Sequence, residues 1–398
     1  MFFLTPKFIK QGRLYIKEAE KRLAYNRDRW TPEVISTFEG EIARLTDAVK
    51  SRDETAVKVC EQSLDKLCGQ HCPLGPNAGI AENVEVILVA IIVALGIRTY
   101  FLQPFTIPTS SMFPTLNGIT GKATTEEPPN FLIRAYQTAA YGRSWHNVVA
   151  EADETVTNVV EEKRGGLRRF FTYTRVDTSA GNTYWINEAR DPVETAFGVK
   201  HGEGFRPTLI GKSFHKGEPI ARGYTDTGDH VFVDKFSYHF RKPSRGEVFV
   251  FLTEHIDIPG YGVSGPPPMK PSQFYIKRLA GVPGDELRIA APELFHNDHR
   301  AEEPGFVRVM RGSKQDPVDD YHGYSNSIGQ SFDEYSLRSP DMKFRLPERK
   351  YFALGDNSYN SSDSRAWGTV PQENLMGPGF FVYWPFVNSR GSHFGLIK

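Results

Sequence analysis

The feature that most limits what this chain can fold into is an apolar run at residues 84–102, set in a sequence whose mean hydropathy is −0.43. From Val86 to Ile97 the run carries no charge, while Glu85 stands before it and Arg98 near its end. A stretch of that length fits a transmembrane helix only if its flanks are used, and it also fits a buried core helix or the apolar part of a leader. The long segment that precedes it argues against a leader. Glu85 can sit at one headgroup boundary, Arg98 can snorkel at the other, and Tyr100 suits the interfacial belt. One membrane-spanning helix at 84–102 is therefore expected. Lys and Arg are sparse at both ends, so the charge rule for loops leaves its orientation open.

The two sides of the run differ in character. Residues 8–27 and 32–68 are rich in Ala, Leu, Glu, Lys and Arg at helical spacing, which predicts a helical hairpin within residues 1–80. Thr31 before Pro32 reads as a helix start, and the Pro- and Gly-rich stretch 69–79 as a linker. Cys60, Cys68 and Cys72 all lie on this side, as expected of free thiols in a reducing compartment, and their spacing matches no standard zinc pattern. Past Gln103 come short β-branched and aromatic runs at 230–234, 247–251 and 273–277, separated by Gly and Pro. A mainly β domain is expected over 104–398. Trp145, Trp185 and many other aromatics predict that the long interval 117–225 folds.

Lys plus Arg balance Asp plus Glu at 48 each, which removes the broad field of a nucleic-acid binder. A phosphate-loop-like end at 209–213 fails because Arg206 stands where the first glycine belongs, and no His-Glu-x-x-His helix exists. Neither cofactor, metal nor nucleic acid is expected.

Chemistry concentrates in three blocks. The first is Ser111-Met112-Phe113-Pro114-Thr115-Leu116, just beyond the apolar run. A serine needs a base within hydrogen-bond reach, and the Gly-x-Ser-x-Gly elbow of the α/β-hydrolases is absent. The second is Tyr275-Ile276-Lys277-Arg278. On a strand Tyr275, Lys277 and Leu279 share a face, so apolar neighbours can desolvate the amine and make it a base. From that block alone a solvated strand lysine is the commoner outcome. The third, Gly355-Asp356-Asn357 through Arg365, reads by itself as a turn cluster.

Taken together the three blocks resemble bacterial type I signal peptidase, a membrane-bound Ser/Lys serine protease. The resemblance implies a mainly antiparallel β fold for 104–398, in which about 117–225 and 290–348 are large inserts. The resemblance implies Ser111 as nucleophile and Lys277 as general base, with the Thr109 hydroxyl and Ser111 amide facing the oxyanion. It implies that Ser361 orients the lysine, and that Asp363 and Arg365 form a supporting ion pair. Phe105, Ile107, Pro108, Leu116, Tyr275 and Ile276 match positions lining a groove that takes small side chains before the cut. The chain has Ser110 where relatives usually carry glycine. The implied partners are signal peptides of exported preproteins and membrane lipid. The implied location is the inner membrane, single-pass, with the catalytic part on the periplasmic side. Two alternatives share parts of this pattern: another Ser/Lys processing or self-cleaving regulatory protease, and an inactive membrane-anchored scaffold.

Overall fold

The structure is a computed structural model that describes residues 6–71, 78–163, 172–199, 207–256, 274–312, 322–326, 334–388 and 391–398. It divides into two compact units, Met1–Val93 and Ala94–Lys398.

The first unit contains three packed helices, where the sequence suggested two: α1 (Lys7–Asn26), α2 (Pro32–Ser51) and α3 (Glu54–His71). The expected second helix breaks because Arg52 takes a left-handed conformation at φ 57° and Asp53 restarts the chain. Asp53 Oδ1 accepts from the amides of Thr55 and Ala56 at 3.0 Å, a side-chain cap on the first turn of α3. Thr31 stands at the start of α2 without a capping hydroxyl bond, so Pro32 carries that signal. Ile9, Phe38, Ile42, Leu45, Val49, Val57 and Leu64 form the core, with Cys68 buried in it and Cys60 half-buried beside it. Cys72 and the middle of the expected linker lie outside the described residues, and helix occupies 69–71 and 78–79.

Helix α4 (Ala78–Tyr100) contains the apolar run. Its window Asn83–Tyr100 has a mean hydropathy of 1.8 and no buried residue.

The second unit is mainly β. Eight strands form its principal antiparallel sheet, in the spatial order Leu102–Thr106, His230–Asp234, Leu375–Trp384, Val248–Leu252, Phe274–Gly281, Lys350–Leu354 and Val370–Pro371, with Gly395–Leu396 added to Leu375–Trp384. β-Branched and aromatic alternation explains these strands: in His230–Asp234, Val231 and Val233 point into the core. Beneath the sheet one cluster gathers Ile107, Met112, Leu116, Val231, Val233, Val248, Val250 and Val382. Another gathers Phe249, Phe251, Leu279, Tyr351, Ala353 and Trp367.

The insert at 117–225 folds around its own core of Val156, Val159, Val176, Ile186, Val193, Phe197 and Phe214. It contributes one three-stranded and one four-stranded sheet, together with helices Phe131–Tyr141 and Arg190–Phe197. The insert around 290–348 adds the hairpin Glu286–Ala290/Glu293–His296, a short helix Pro304–Arg311 and a third core containing Leu287, Ile289, Phe306 and Leu346.

Candidate active site

The edge strand Leu102–Thr106 delivers the chain into the serine turn, where Ser110–Met112 makes one 3-10 turn. Ser110 adopts no positive φ, so the turn needs no glycine at that position. Met112 and Leu116 are fully buried and pin the turn to the sheet. Ser111 is left only 9% exposed.

Lys277 lies mid-strand in Phe274–Gly281, opposite Phe249 in register. Its side chain is 5% exposed and its Nζ sits 2.7 Å from Ser111 Oγ. The Tyr275 ring centroid lies 5.7 Å from that Nζ, and Phe249 and Leu279 fill the same face. Burial lowers the Lys277 ammonium from 10.5 to about 8, against the opposing pull of Asp363 and Asp356. Among the described residues no histidine or carboxylate bonds to Ser111 Oγ. Its other neighbour is the Thr109 hydroxyl at 3.4 Å, on an exposed residue.

The third block clamps the first. The Asn357 amide donates to the Ser111 carbonyl at 3.0 Å and its side-chain amide to the Ser110 carbonyl at 3.3 Å. Gly355 permits this approach, since a Cβ there would stand 2.0 Å from Ser361 Oγ and 2.7 Å from the Ser111 carbonyl oxygen. Asp356 takes two bonds from Arg278, at 2.8 and 2.6 Å, with both side chains at 0% exposure. Thr115 donates to the same carboxylate and accepts from Arg278 at 2.8 Å. One buried cluster thus ties all three blocks together. Sequence reading singled out neither Arg278, Asp356 nor Asn357 for this role. Strand alternation, which turns Arg278 away from Lys277's face, was the available signal.

Asp363 and Arg365 form a buried ion pair at 2.7 Å, and Arg365 also donates to the Ser325 and Ser358 carbonyls at 2.8 and 2.7 Å. Asp363 Oδ2 accepts from the Gly355 amide at 3.0 Å, so the pair braces the clamp. Ser361 differs from expectation. Its hydroxyl is buried against Gly355 and makes no hydrogen bond to Lys277 or to any other group among the described residues.

The six expected groove residues separate by depth. Ile107 and Leu116 are core residues at 2% and 0% exposure, so they back the surface and do not form it. Phe105, Tyr275 and Ile276 are half-buried and Pro108 is exposed. Phe105 meets Phe274 edge-on, ring centroids 5.1 Å apart, which joins the serine and lysine blocks across this surface.

A buried amine within hydrogen-bond distance of a serine hydroxyl, on a curled antiparallel sheet, is an arrangement that a serine hydrolase can use. The chain matches the family described as signal peptidase, peptidase S26, over residues 221–384, a span that holds Lys277, Ser361, Asp363 and Arg365 while Ser111 precedes it. It is 30% identical to signal peptidase I of Pseudomonas fluorescens over 246 residues, covering 50% of this chain and 79% of that one. Thylakoidal processing peptidase 1, chloroplastic, of Arabidopsis thaliana is 32% identical over 162 residues, covering 40% of this chain and 38% of that one. A crystal structure of a signal peptidase I from Enterococcus faecalis V583 aligns at 26% identity and TM-score 0.23, covering 35% of this chain and 97% of that one. The chain belongs to the signal peptidase I family of enzymes.

Proposed function

We propose that this protein is a membrane-anchored serine endopeptidase that removes N-terminal signal peptides from exported preproteins, with Ser111 as nucleophile and Lys277 as general base. The observation that carries the reading is the 2.7 Å contact between the Lys277 amine and the Ser111 hydroxyl, both buried. With its affinity for protons lowered to about 8, the amine is partly neutral near neutral pH and can accept the serine proton.

In the reaction Ser111 Oγ attacks the scissile carbonyl as its proton passes to Lys277 Nζ. The Thr109 hydroxyl and the Ser111 amide hold the oxyanion. The Lys277 ammonium then gives the proton to the leaving amine, and an acyl-enzyme remains on Ser111. Lys277 next takes a proton from water, whose oxygen attacks the ester, and returns it to the departing Ser111 Oγ as the acid is released. Asp363 and Arg365 support the clamp from behind, and Ser361 orients the lysine once its hydroxyl turns from Gly355.

An extended peptide can add to the edge strand Leu102–Thr106, whose outer side has no neighbour among the described strands. Phe105, Pro108, Tyr275 and Ile276 then bound shallow pockets, backed by Ile107 and Leu116, that favour small side chains before the cut.

Helix α4 is the anchor. Its exposed Val86, Ile87, Leu88, Ile92 and Leu95 would each cost about 1.5–3 kcal/mol in water relative to burial, and a bilayer removes that cost. The catalytic unit lies on the outer, periplasmic face and the helical unit in the cytosol, which also suits the free thiols. Tethering enzyme and leader to one membrane raises their effective concentration.

The test is cleavage of an exported precursor by the full chain and by Ser111→Ala and Lys277→Met. Both variants are expected to lose turnover, and substantial activity in either ends the assignment. A covalent serine-reactive probe labels Ser111 if the site is active and fails to label an inert scaffold.

A further inference from the structure

Where α4 runs out, the sheet grips its last turn. The Lys235 amide donates to the Phe101 carbonyl at 2.9 Å and Lys235 Nζ to the Thr99 carbonyl at 2.8 Å. Beside this junction opens a cleft of about 700 Å³ whose charged lining is Lys235, Arg241, Lys242 and Arg349 against the single carboxylate of Glu348. Arg241 is neutralised by Glu247 at 2.6 Å. Lys235 engages only neutral carbonyls, and Lys242 and Arg349 are exposed with no ion-pair partner among the described residues. Three cations therefore face a concave space with one opposing charge.

Exposed rings stand next in the chain to residues of that lining. Phe101 stacks on Phe236 at 5.6 Å, Phe236 meets Phe240 at a tilt with centroids 4.5 Å apart, and the three are 49%, 47% and 74% exposed. Exposed rings beside a membrane-crossing helix sit at headgroup depth, and at that depth unpaired Lys and Arg meet lipid phosphates. The turn Val282, Pro283 and Gly284, which leaves the lysine strand, also lines the cleft.

We propose that this cleft binds the phosphate headgroup of an anionic phospholipid in the leaflet where α4 ends. Charge complementarity selects the ligand, and the Lys235 bonds to the end of the anchor set its depth. The bound headgroup holds the catalytic sheet at a fixed height above the bilayer. The inference rests on the reading of α4 as a membrane span.

The full chain, reconstituted in phosphatidylcholine vesicles, separates the two ideas. If alkaline carbonate strips it from the vesicles, the span reading fails and takes this inference with it. If it is retained, spin-labelled phosphatidylglycerol and spin-labelled phosphatidylcholine are compared for the motionally restricted fraction. The wild type is expected to enrich the anionic probe by roughly fivefold for each engaged cation, and Lys242→Glu with Arg349→Glu to cancel that preference while peptide cleavage in detergent is unchanged. Added salt weakens the preference. Absence of enrichment, or enrichment that survives the double reversal, overturns the proposal. So does inorganic phosphate alone if it competes fully at concentrations comparable with the lipid, because the site then belongs to a soluble anion.

Discussion

An amine sealed between Phe249, Leu279 and Tyr275 favours its neutral form, and that preference reaches both activity and stability. Only the free base can accept the serine proton. Values of kcat/KM are therefore expected to fall about tenfold per unit as pH drops below about 8, and a flat profile across that range would remove Lys277 as the base. For stability the sign is as follows. Between about 8 and 10.5 the unfolded chain binds more protons at this position than the folded one, so stability rises with pH through that window. Below about 8 both states hold the proton and the cost of burying the charge is present in full. The difference is of order 3 kcal/mol. Lys277→Met is thus expected to be more stable than wild type at about pH 7 and to lose most of that advantage near pH 10, as read by urea unfolding. Asp356→Asn works in the opposite direction. It leaves the Arg278 guanidinium buried without its counter-charge, and a loss of about 3–5 kcal/mol is expected. These residues differ in how far the sequence exposes them. Ser111 and Lys277 stand out because a hydroxyl and a strand lysine occur within extended motifs, whereas the Arg278–Asp356 pair joins residues far apart in sequence and shows no local pattern. The Ser361 hydroxyl depends on a rotamer decided by packing against Gly355, which no sequence pattern encodes.

At the scale of elements the site depends on a clamp between two turns. Gly355→Ala places a methyl group 2.0 Å from Ser361 Oγ and 2.7 Å from the Ser111 carbonyl oxygen, so the serine turn must move. A displacement of that kind costs about a hundredfold in rate when reacting atoms lose alignment. The expected result is a fall in kcat of that order with circular dichroism unchanged, and near-normal kcat would show that the clamp is slack. The strands were legible because alternation of Val and Phe with polar residues encodes one buried face, as at Val231 and Val233. The break between α2 and α3 was missed because apolar spacing continues across it, and Arg52-Asp53 carries no Gly or Pro. Asp53 is the readable trace of that break. Asp53→Ala, which removes two capping bonds, is expected to destabilise the helical unit by about 1 kcal/mol in thermal unfolding.

For the molecule as a whole, the large first insert enters and leaves through one antiparallel strand pair. Its entry and exit strands Thr120–Ala123 and Pro219–Asp226 are antiparallel neighbours, with Thr120 opposite Asp226 and Ala123 opposite Gly223. The insert core draws on residues 150–221, while the clusters around the serine turn and the lysine strand include none of them. Sequence composition could indicate that this segment folds, from its aromatics, but not that its ends meet, since pairing across so long an interval is a tertiary fact. Joining Ala123 to Gly223 through a short glycine-containing turn keeps the register of that ladder and lowers loop-closure entropy. It also removes the bonds that the insert makes to what remains: Arg143 to Asp226 at 2.6 and 2.8 Å, the Thr225 hydroxyl to His146 at 2.9 Å and to Glu188 at 3.0 Å, the Thr227 amide to the Gly142 carbonyl at 3.1 Å, Trp384 Nε1 to the Ala139 carbonyl at 2.8 Å, and the Val387 amide to the Ala140 carbonyl at 3.1 Å. None of these bonds involves Ser111, Lys277 or the Asn357 clamp, and those to the Leu375–Trp384 strand fall at or past its last ladder pair, Trp384 with His230. The excised protein is therefore expected to fold, to keep short-peptide turnover within about tenfold, and to be labelled at Ser111 by a serine-reactive probe. Loss of labelling with the sheet intact by circular dichroism would mean that the insert positions the serine turn, through a path other than the two clusters described above.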